Sequence, residues 1–347
     1  MNTHEIYIKR CLELAMYGLP AAMPNPSVGA VIVFENKIIG EGYTSKYGGN
    51  HAEVNAINTV KNKSLLSKST LYVSLEPCSH FGKTPPCADL IIKNKIPNVV
   101  IGTLDSNEKV AGNGIKKLIE AEINVTVGVL EDECKASNKR FFTFHEKKRP
   151  YIILKWAESQ DGFIAPISKE KQEPIWISNE VSRQLVHKWR SEEQAILVGT
   201  NTVLKDNPKL NVRDWNGKNP TRIVLDKTKK INVKFDVFSD NIQTIFITEN
   251  ENNILNDKHI FENTIFDNRL VFNICKILFK HKIQSVIIEG GKQTLQTFID
   301  ENLWDEARVF KSKKLLVEGI KSPQIKFKNS KSQYILDDEL VTFFNYD

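Results

Sequence analysis

Short apolar, β-branched runs alternate with amphipathic segments along the whole chain, and this alternation restricts it to layered α/β architecture. Residues 4–18 carry apolar side chains at helical spacing and end at Gly18. Residues 28–34 and 37–43 flank Glu35-Asn36, a hairpin pattern. A helix is predicted over 51–60, a buried strand over 70–75, and a helix over 87–94 behind Pro85-Pro86. A strand over 98–104, a helix over 112–122 and a strand over 124–130 complete the first series.

The series breaks at 141–150 (FFTFHEKKRP), where aromatic residues give way to a charged cluster and Pro150. A second series follows, with strands predicted at 151–157, 194–199, 221–226, 243–248 and 284–289. Helices are predicted at 179–190, 270–280 and 294–301, a surface loop at 249–258, and a final strand at 334–345. A chain of 347 residues accommodates two domains, placed at 1–145 and 150–347.

The net charge of +6, from 48 basic and 42 acidic residues, is a mild excess. It suits an anionic small substrate or a nucleic acid, but it is equally what a chain with no special partner carries. Neither a nucleic-acid partner nor a membrane is expected. No stretch reaches the ~18 apolar residues a span requires, and Met-Asn-Thr-His-Glu does not open a signal peptide. Five cysteines in a chain this long do not make a disulfide framework. The expected location is the cytoplasm, where a clustered Cys pair reads as a metal site.

The sharpest chemical signal is His51-Ala52-Glu53, followed by Pro77-Cys78 and Cys87. Catalytic zinc takes three protein ligands and keeps a fourth position for water, whose pKa falls to ~7. His51, Cys78 and Cys87 supply that set, and Glu53 is the carboxylate left free to move protons. His-x-Glu with Pro-Cys-x-x-Cys is the signature of zinc nucleobase deaminases. Here eight residues, SHFGKTPP, separate the cysteines instead of two. That insertion is tolerable if Cys78 follows a strand and Cys87 opens a helix, whose N-terminus favours thiolate. Cys11, Cys134 and Cys275 have no such company and read as core or surface thiols.

In the second half, Glu289-Gly290-Gly291 ends a strand before a helix, a place where backbone N–H groups can meet a phosphate. Gly199-Thr200-Asn201-Thr202 is a second candidate cofactor loop. Arg190 and Arg213 are candidates for bidentate phosphate binding. No Gly-x-Gly-x-x-Gly is present, so a Rossmann domain is not indicated.

The segments NPSVGAVIV (25–33), HAEVNAI (51–57) and EPCSHFGKTPPC (76–87) resemble the deaminase half of the bifunctional RibD family of riboflavin biosynthesis. LKWAESQDGFIA (154–165), WIS (176–178), the 190–213 segment and IIEGGKQTL (287–295) resemble its reductase half. The resemblance implies a cytidine-deaminase-like layered α/β/α domain followed by a dihydrofolate-reductase-like α/β domain. It implies Zn2+ on His51, Cys78 and Cys87, with Glu53 catalytic. It places Asn25, His80, Lys83 and the 79–84 loop beside the substrate. NADPH contacts are implied at Ala157, Trp176, Thr202, Asp206 and a 291–297 loop beginning at Gly291. Substrate contacts are implied at Lys155, Arg190, Leu210, Arg213 and Glu289, with Lys155 positioning the ribose carbon that receives hydride.

The implied activity is deamination of 2,5-diamino-6-(5-phosphoribosylamino)pyrimidin-4(3H)-one, then reduction to 5-amino-6-(5-phosphoribitylamino)uracil, in a homo-oligomer built through the reductase domains. Departures from the family's pattern are Gln160, the 172–175 turn (QEPI) and a basic 308–319 segment. Two rivals stand beside this reading. One is a nucleic-acid base-editing zinc deaminase with an accessory domain. The other is a zinc-stabilised binding module whose fourth ligand is His80.

Overall fold

The structure, a computed structural model, describes residues 2–82, 84–106, 111–250, 254–326 and 329–345. It divides into two compact units, Met1–Lys148 and Arg149–Asp347.

In the first unit, α1 (Thr3–Met16) opens on a reciprocal cap. Asn2 Oδ1 accepts from the Glu5 N–H at 2.9 Å, and Glu5 Oε2 accepts from the Asn2 N–H at 3.0 Å. The order continues β1 (Gly29–Phe34), β2 (Lys37–Tyr43), α2 (Ala52–Thr59), β3 (Thr70–Leu75), α3 (Cys87–Lys93), β4 (Asn98–Thr103), α4 (Asn113–Glu120), β5 (Asn124–Val127), α5 (Glu131–Ser137) and α6 (Lys139–Lys147). Glu35 and Asn36 both take positive φ, 47° and 60°, which is what a two-residue hairpin turn needs. The sheet runs β2-β1-β3-β4-β5, with β1 antiparallel to β2 and β3, and β3, β4 and β5 parallel.

Side chains alternate across this sheet with period two. Ala30, Ile32, Leu71, Val73, Val99 and Ile101 face one cluster, while Val31, Val33, Tyr72 and Val100 face the other with Ile8, Cys11 and Leu14 of α1. The result is a helix–sheet–helix sandwich.

The second unit is built on β6 (Tyr151–Glu158), α7 (Glu180–Glu192), β8 (Ala195–Gly199), α8 (Thr200–Asp206), β9 (Thr221–Leu225), β10 (Thr244–Thr248), β11 (Ile254–Asn256), β12 (His259–Asn263), α9 (Leu270–Lys280), β13 (Ser285–Ile288), α10 (Lys292–Asp300), β14 (Glu306–Lys311), β16 (Ser330–Ile335) and β17 (Asp338–Phe344). A separate pair joins β7 (Phe163–Ala165) to β15 (Ile320–Lys321). The ten-stranded sheet runs β11-β12-β10-β9-β8-β13-β6-β14-β17-β16. From β12 to β14 it is parallel, and antiparallel partners close both ends. Leu154, Leu197, Ile223 and Ile288 pack under α9 and α10, while Ile153, Val198, Val224 and Ile287 pack under α7 and α8.

Three sequence expectations are corrected, and two further segments gain detail. The segment read as a junction holds the boundary, between Lys148 and Arg149, and most of it is α6, which buries Phe141, Phe142 and Phe144. Thr200-Asn201-Thr202 is the first turn of α8, not a loop. The predicted final strand is a hairpin, β16–β17, turning through Leu336 at φ 55°. The end of the predicted 249–258 loop pairs as β11, while 251–253 lie outside the described residues. The start of the basic 308–319 segment belongs to β14, whose Arg308, Val309 and Phe310 are all buried.

Candidate active sites

The first site is assembled from one helix start, one strand end and a second helix start. Gly40 and Gly42 of β2 let α2 lie against the strand. A Cβ on Gly42 would stand 2.4 Å from Ala56 N, and one on Gly40 would stand 2.5 Å from Ala56 O. This seating brings α2's first residues inward. His51 is the N-cap residue, but its side chain makes no capping bond and points elsewhere. Its Nδ1 lies 3.4 Å from Cys78 Sγ and 3.4 Å from Cys87 Sγ. The three ligand atoms lie within 4.8 Å of one another.

Tetrahedral zinc, with bonds of ~2.05 Å to nitrogen and ~2.3 Å to sulphur, sets N···S at about 3.5 Å. The observed separations fit that ion. Among the described residues this is the only such group, and His80 is exposed and outside it. A closed four-ligand site therefore finds no support.

Cys78 follows β3, and the chain returns so that the Cys87 N–H at the start of α3 reaches Cys78 Sγ at 3.4 Å. Hydrogen bonding from the Cys87 side chain, aided by His51, outweighs burial and brings the Cys78 thiol down to about 4. Thiolate is the ligand form. Glu53 sits in the first turn of α2 at 3% exposure, and burial pushes its carboxyl up to about 7. Asn25 is half-buried in the turn ahead of β1, its N–H donating to Ala22 O at 3.0 Å. Lys83 lies outside the described residues.

Glu76 was missed by the sequence reading. It stands two residues before Cys78, and its buried carboxylate accepts, among the described residues, from four backbone N–H groups. These are Gly114 at 2.9 Å, Gly112 at 3.0 Å, Asp105 at 3.3 Å and Ile115 at 3.4 Å. It thereby supplies the cap that α4, opening on Gly112 with no capping side chain, lacks. The uncapped Gly112-Asn113-Gly114 start was the one available signal.

The second site lies at the carboxyl ends of the parallel strands, where ligands bind in open α/β sheets. A cavity of about 1340 Å³ is lined by all five expected cofactor residues, Ala157, Trp176, Thr202, Asp206 and Gly291, and by Lys155 and Glu289. At its floor β8 and the Gly290-Gly291 turn approach closely. A Cβ on Gly290 would stand 2.6 Å from Gly199 N, and the Gly291 N–H donates to Thr202 Oγ1 at 3.0 Å. Only a side-chain-free backbone leaves this room, which suits a phosphate-bearing cofactor near the start of α10.

Arg190 is paired with a carboxylate. Its Nε and one terminal nitrogen donate to the two Glu289 oxygens at 2.9 and 2.8 Å, and another terminal N–H donates to Asn211 O at 3.2 Å. Lys155 Nζ lies 3.7 Å from Glu289 Oε2. Burial pushes the Glu289 carboxyl up, but Arg190 and Lys155 overcome it and hold it down at about 2. Burial lowers the Lys155 ammonium, opposed by Glu289.

Arg213 donates its backbone N–H to His187 Nδ1 at 3.3 Å, and its guanidinium lies 5.9 Å from the Trp176 ring. Arg183, unremarked in the sequence, lies 4.9 Å from the same ring. Leu210 is buried in the core at φ 53°. Asp206 forms an ion pair with Lys169.

Residues 1–103 match the model of the cytidine and deoxycytidylate deaminase zinc-binding region, and residues 150–326 match that of the RibD C-terminal domain. The riboflavin biosynthesis protein RibD of Aquifex aeolicus is 39% identical over 354 residues, covering 98% of both chains. That of Escherichia coli is 33% identical, covering 93% of this chain and 95% of its own. Among solved structures, a diaminohydroxyphosphoribosylaminopyrimidine deaminase/5-amino-6-(5-phosphoribosylamino)uracil reductase from Thermotoga maritima superposes with a TM-score of 0.86 at 38% identity, over 98% of each chain. With a deaminase-like sandwich followed by a RibD-type reductase unit, and relatives matched end to end, the chain belongs to the RibD family of bifunctional riboflavin-biosynthesis enzymes, which join a zinc-dependent deaminase to an NADPH-dependent reductase.

Proposed function

We propose that residues 1–145 deaminate 2,5-diamino-6-(5-phosphoribosylamino)pyrimidin-4(3H)-one and that residues 150–347 then reduce its ribosyl group, giving 5-amino-6-(5-phosphoribitylamino)uracil. The observation that carries the reading is His51 Nδ1 at 3.4 Å from both thiol sulphurs, with a buried carboxylate two residues along. His51, Cys78 and Cys87 hold zinc, which when bound supplies a water of pKa ~7. Glu53 would carry one proton of that water to the ring nitrogen and its second proton to the amino group, which leaves as ammonia. Oxygen replaces nitrogen on the ring carbon, and the C–N bond to the amino group breaks. Asn25 and His80 border the pyrimidine.

In the second unit NADPH, when bound, would supply the hydride that reduces the ribose carbon. Ala157, Trp176, Thr202, Asp206 and Gly291 hold the cofactor. Lys155 orients the ribose, and Glu289 fixes Lys155 and Arg190. Arg190, Arg213 and the backbone of Leu210 border the substrate. The enzyme works in the cytoplasm as a homo-oligomer joined through its second units. The exposed edge strand β16, with Tyr334 and Leu336 at its tip, is the edge that such a contact can cover. Among the described residues no helix is long and apolar enough to cross a membrane. A base-editing deaminase has no use for a reductase unit, and this chain carries one.

The test is Glu53→Ala. Ammonia release from the diaminopyrimidine stops, while NADPH oxidation on the deaminated intermediate continues. Surviving deamination sinks the role of Glu53, and loss of both activities sinks their separation.

A further inference from the structure

Residues 207–220 link α8 to β9 and form no helix or strand, so no ladder of backbone hydrogen bonds sets their course. One face of α7 holds the middle of this link. Arg183, His187 and Arg190 follow one another at spacings of four and three, which stacks them along that face. Each grips a different part of the link. Arg190 donates to Asn211 O at 3.2 Å, and His187 Nδ1 accepts the Arg213 N–H at 3.3 Å. Asp214 Oδ2 lies 3.3 Å from Arg183 Nε and 3.4 Å from His187 Nε2. Further on, the chain stays against the helix, where a Cβ on Gly217 would stand 2.5 Å from Ser191 Cβ.

The same link presents Arg213. Its guanidinium lies 5.9 Å from the ring of Trp176, which lines the cavity with Lys155. Arg213 is exposed, and among the described residues its side chain hydrogen-bonds only to Asn211 Oδ1, at 3.4 Å. Its fork of donors is open to an anion.

We propose that His187 is a positioning residue of the reductase, holding the Arg213 backbone so that the guanidinium is aimed at the phosphate of the ribosyl substrate. The inference rests on Arg213 bordering the substrate, as read above.

His187 can do this in one form only. It is 1% exposed, and an Nδ1 that accepts an N–H carries no proton, so the ring's single proton sits on Nε2, facing Asp214. Burial, with Arg190 and Arg213 nearby, brings the ring down to about 4, so it is neutral at neutral pH. A protonated ring would turn an N–H toward the Arg213 N–H and break the hold.

The test follows NADPH oxidation by the full, zinc-loaded chain, which reports the second unit alone. Inhibition by 5-amino-6-(5-phosphoribitylamino)uracil is compared with inhibition by its dephosphorylated form, which isolates the share of the phosphate. His187→Leu keeps apolar bulk and removes both nitrogens. It raises the KM of the phosphoribosyl substrate and the Ki of the phosphorylated inhibitor about tenfold, the scale of one hydrogen bond to a charged group. The kcat and the Ki of the dephosphorylated form stay level. His187→Asn, which returns an acceptor at the Nδ1 position, restores the affinity. Arg213→Gln shows the same loss, and adding His187→Leu to it costs nothing more, as two residues acting through one contact require. Asp214→Ala removes a negative charge beside the site yet weakens the phosphorylated inhibitor, because it frees the link. Asp214 is partly exposed, so where tryptophan emission shows His187→Leu unfolded, Asp214→Ala decides. Tighter binding of the phosphorylated inhibitor in Asp214→Ala overturns the proposal. So do additive losses in the double variant, equal weakening of both inhibitors, or a fall in kcat at unchanged KM. A phosphorylated inhibitor that binds Arg213→Gln as tightly as wild type overturns the placement of Arg213 itself.

Discussion

Replacing Glu76 by Ala isolates what one carboxylate does for the first unit. Its four acceptor contacts tie the end of β3 to the start of α4, 36 to 39 residues downstream for the three N–H groups at that helix. The Gly114 N–H is buried, so losing its acceptor costs about 2 kcal/mol. The Gly112 N–H is half-buried and water partly replaces the bond, so about 1 kcal/mol is lost there, the usual worth of a helix cap. The two longer contacts add little. The expected loss is therefore about 3 kcal/mol, a large part of the 5–15 kcal/mol that holds an ordinary domain together.

The chain carries its own internal control. All five tryptophans (Trp156, Trp176, Trp189, Trp215 and Trp304) belong to the second unit, so indole emission reports that unit alone. Far-UV circular dichroism registers both units. With a urea slope of about 2 kcal/mol per molar, Glu76→Ala moves the first unit's transition down by about 1.5 M. The dichroism curve gains an early step that the tryptophan curve lacks. Glu76→Gln keeps one acceptor oxygen and loses about half as much. If dichroism shifts by less than about 0.5 M, or if tryptophan emission shifts equally, the capping argument is wrong.

Three further perturbations address the second unit. The Glu289 carboxyl is held at about 2, below its unfolded value, so its contribution is complete above the ordinary carboxylate range and disappears as pH falls toward 2. The stability advantage of wild type over Glu289→Gln, followed by tryptophan emission, should shrink across that window, and a constant difference would mean the carboxylate is not charged in place. Gly290→Ala puts a Cβ 2.6 Å from Gly199 N and Val198 Cα, both backbone. It should cost about 1–3 kcal/mol and weaken NADP+ binding at least tenfold. Gly291→Ala meets only Thr202 Oγ1 at 3.6 Å, and its urea midpoint should match wild type.

What could be read from the sequence follows the distance over which each feature is determined. The hairpin at Glu35-Asn36 is a local matter of two residues at positive φ, and it forms as expected. The His51, Cys78 and Cys87 group was legible because each member sits beside its own local signal, a helix start or a strand end. α6 was misread because its polar face, Lys139, Arg140, His145 and Lys147, hides the helical spacing of Phe141 and Phe144 when composition is weighed before period.

The partner of Arg190 was not legible for a different reason. An arginine near a phosphate-binding enzyme's strand ends looks available until its partner is known, and that partner lies 99 residues away. Glu289 reaches both Lys155 and Arg190 because β13 lies parallel between β6 and β8, with Ile288 level with Leu154 and Leu197. Nothing local to any of these segments sets that register. A charged group buried at the end of a parallel strand must find its countercharge on another strand or a covering helix, because its own strand's neighbours point to the opposite face. Cations at such positions are therefore best read from sequence in pairs with distant carboxylates.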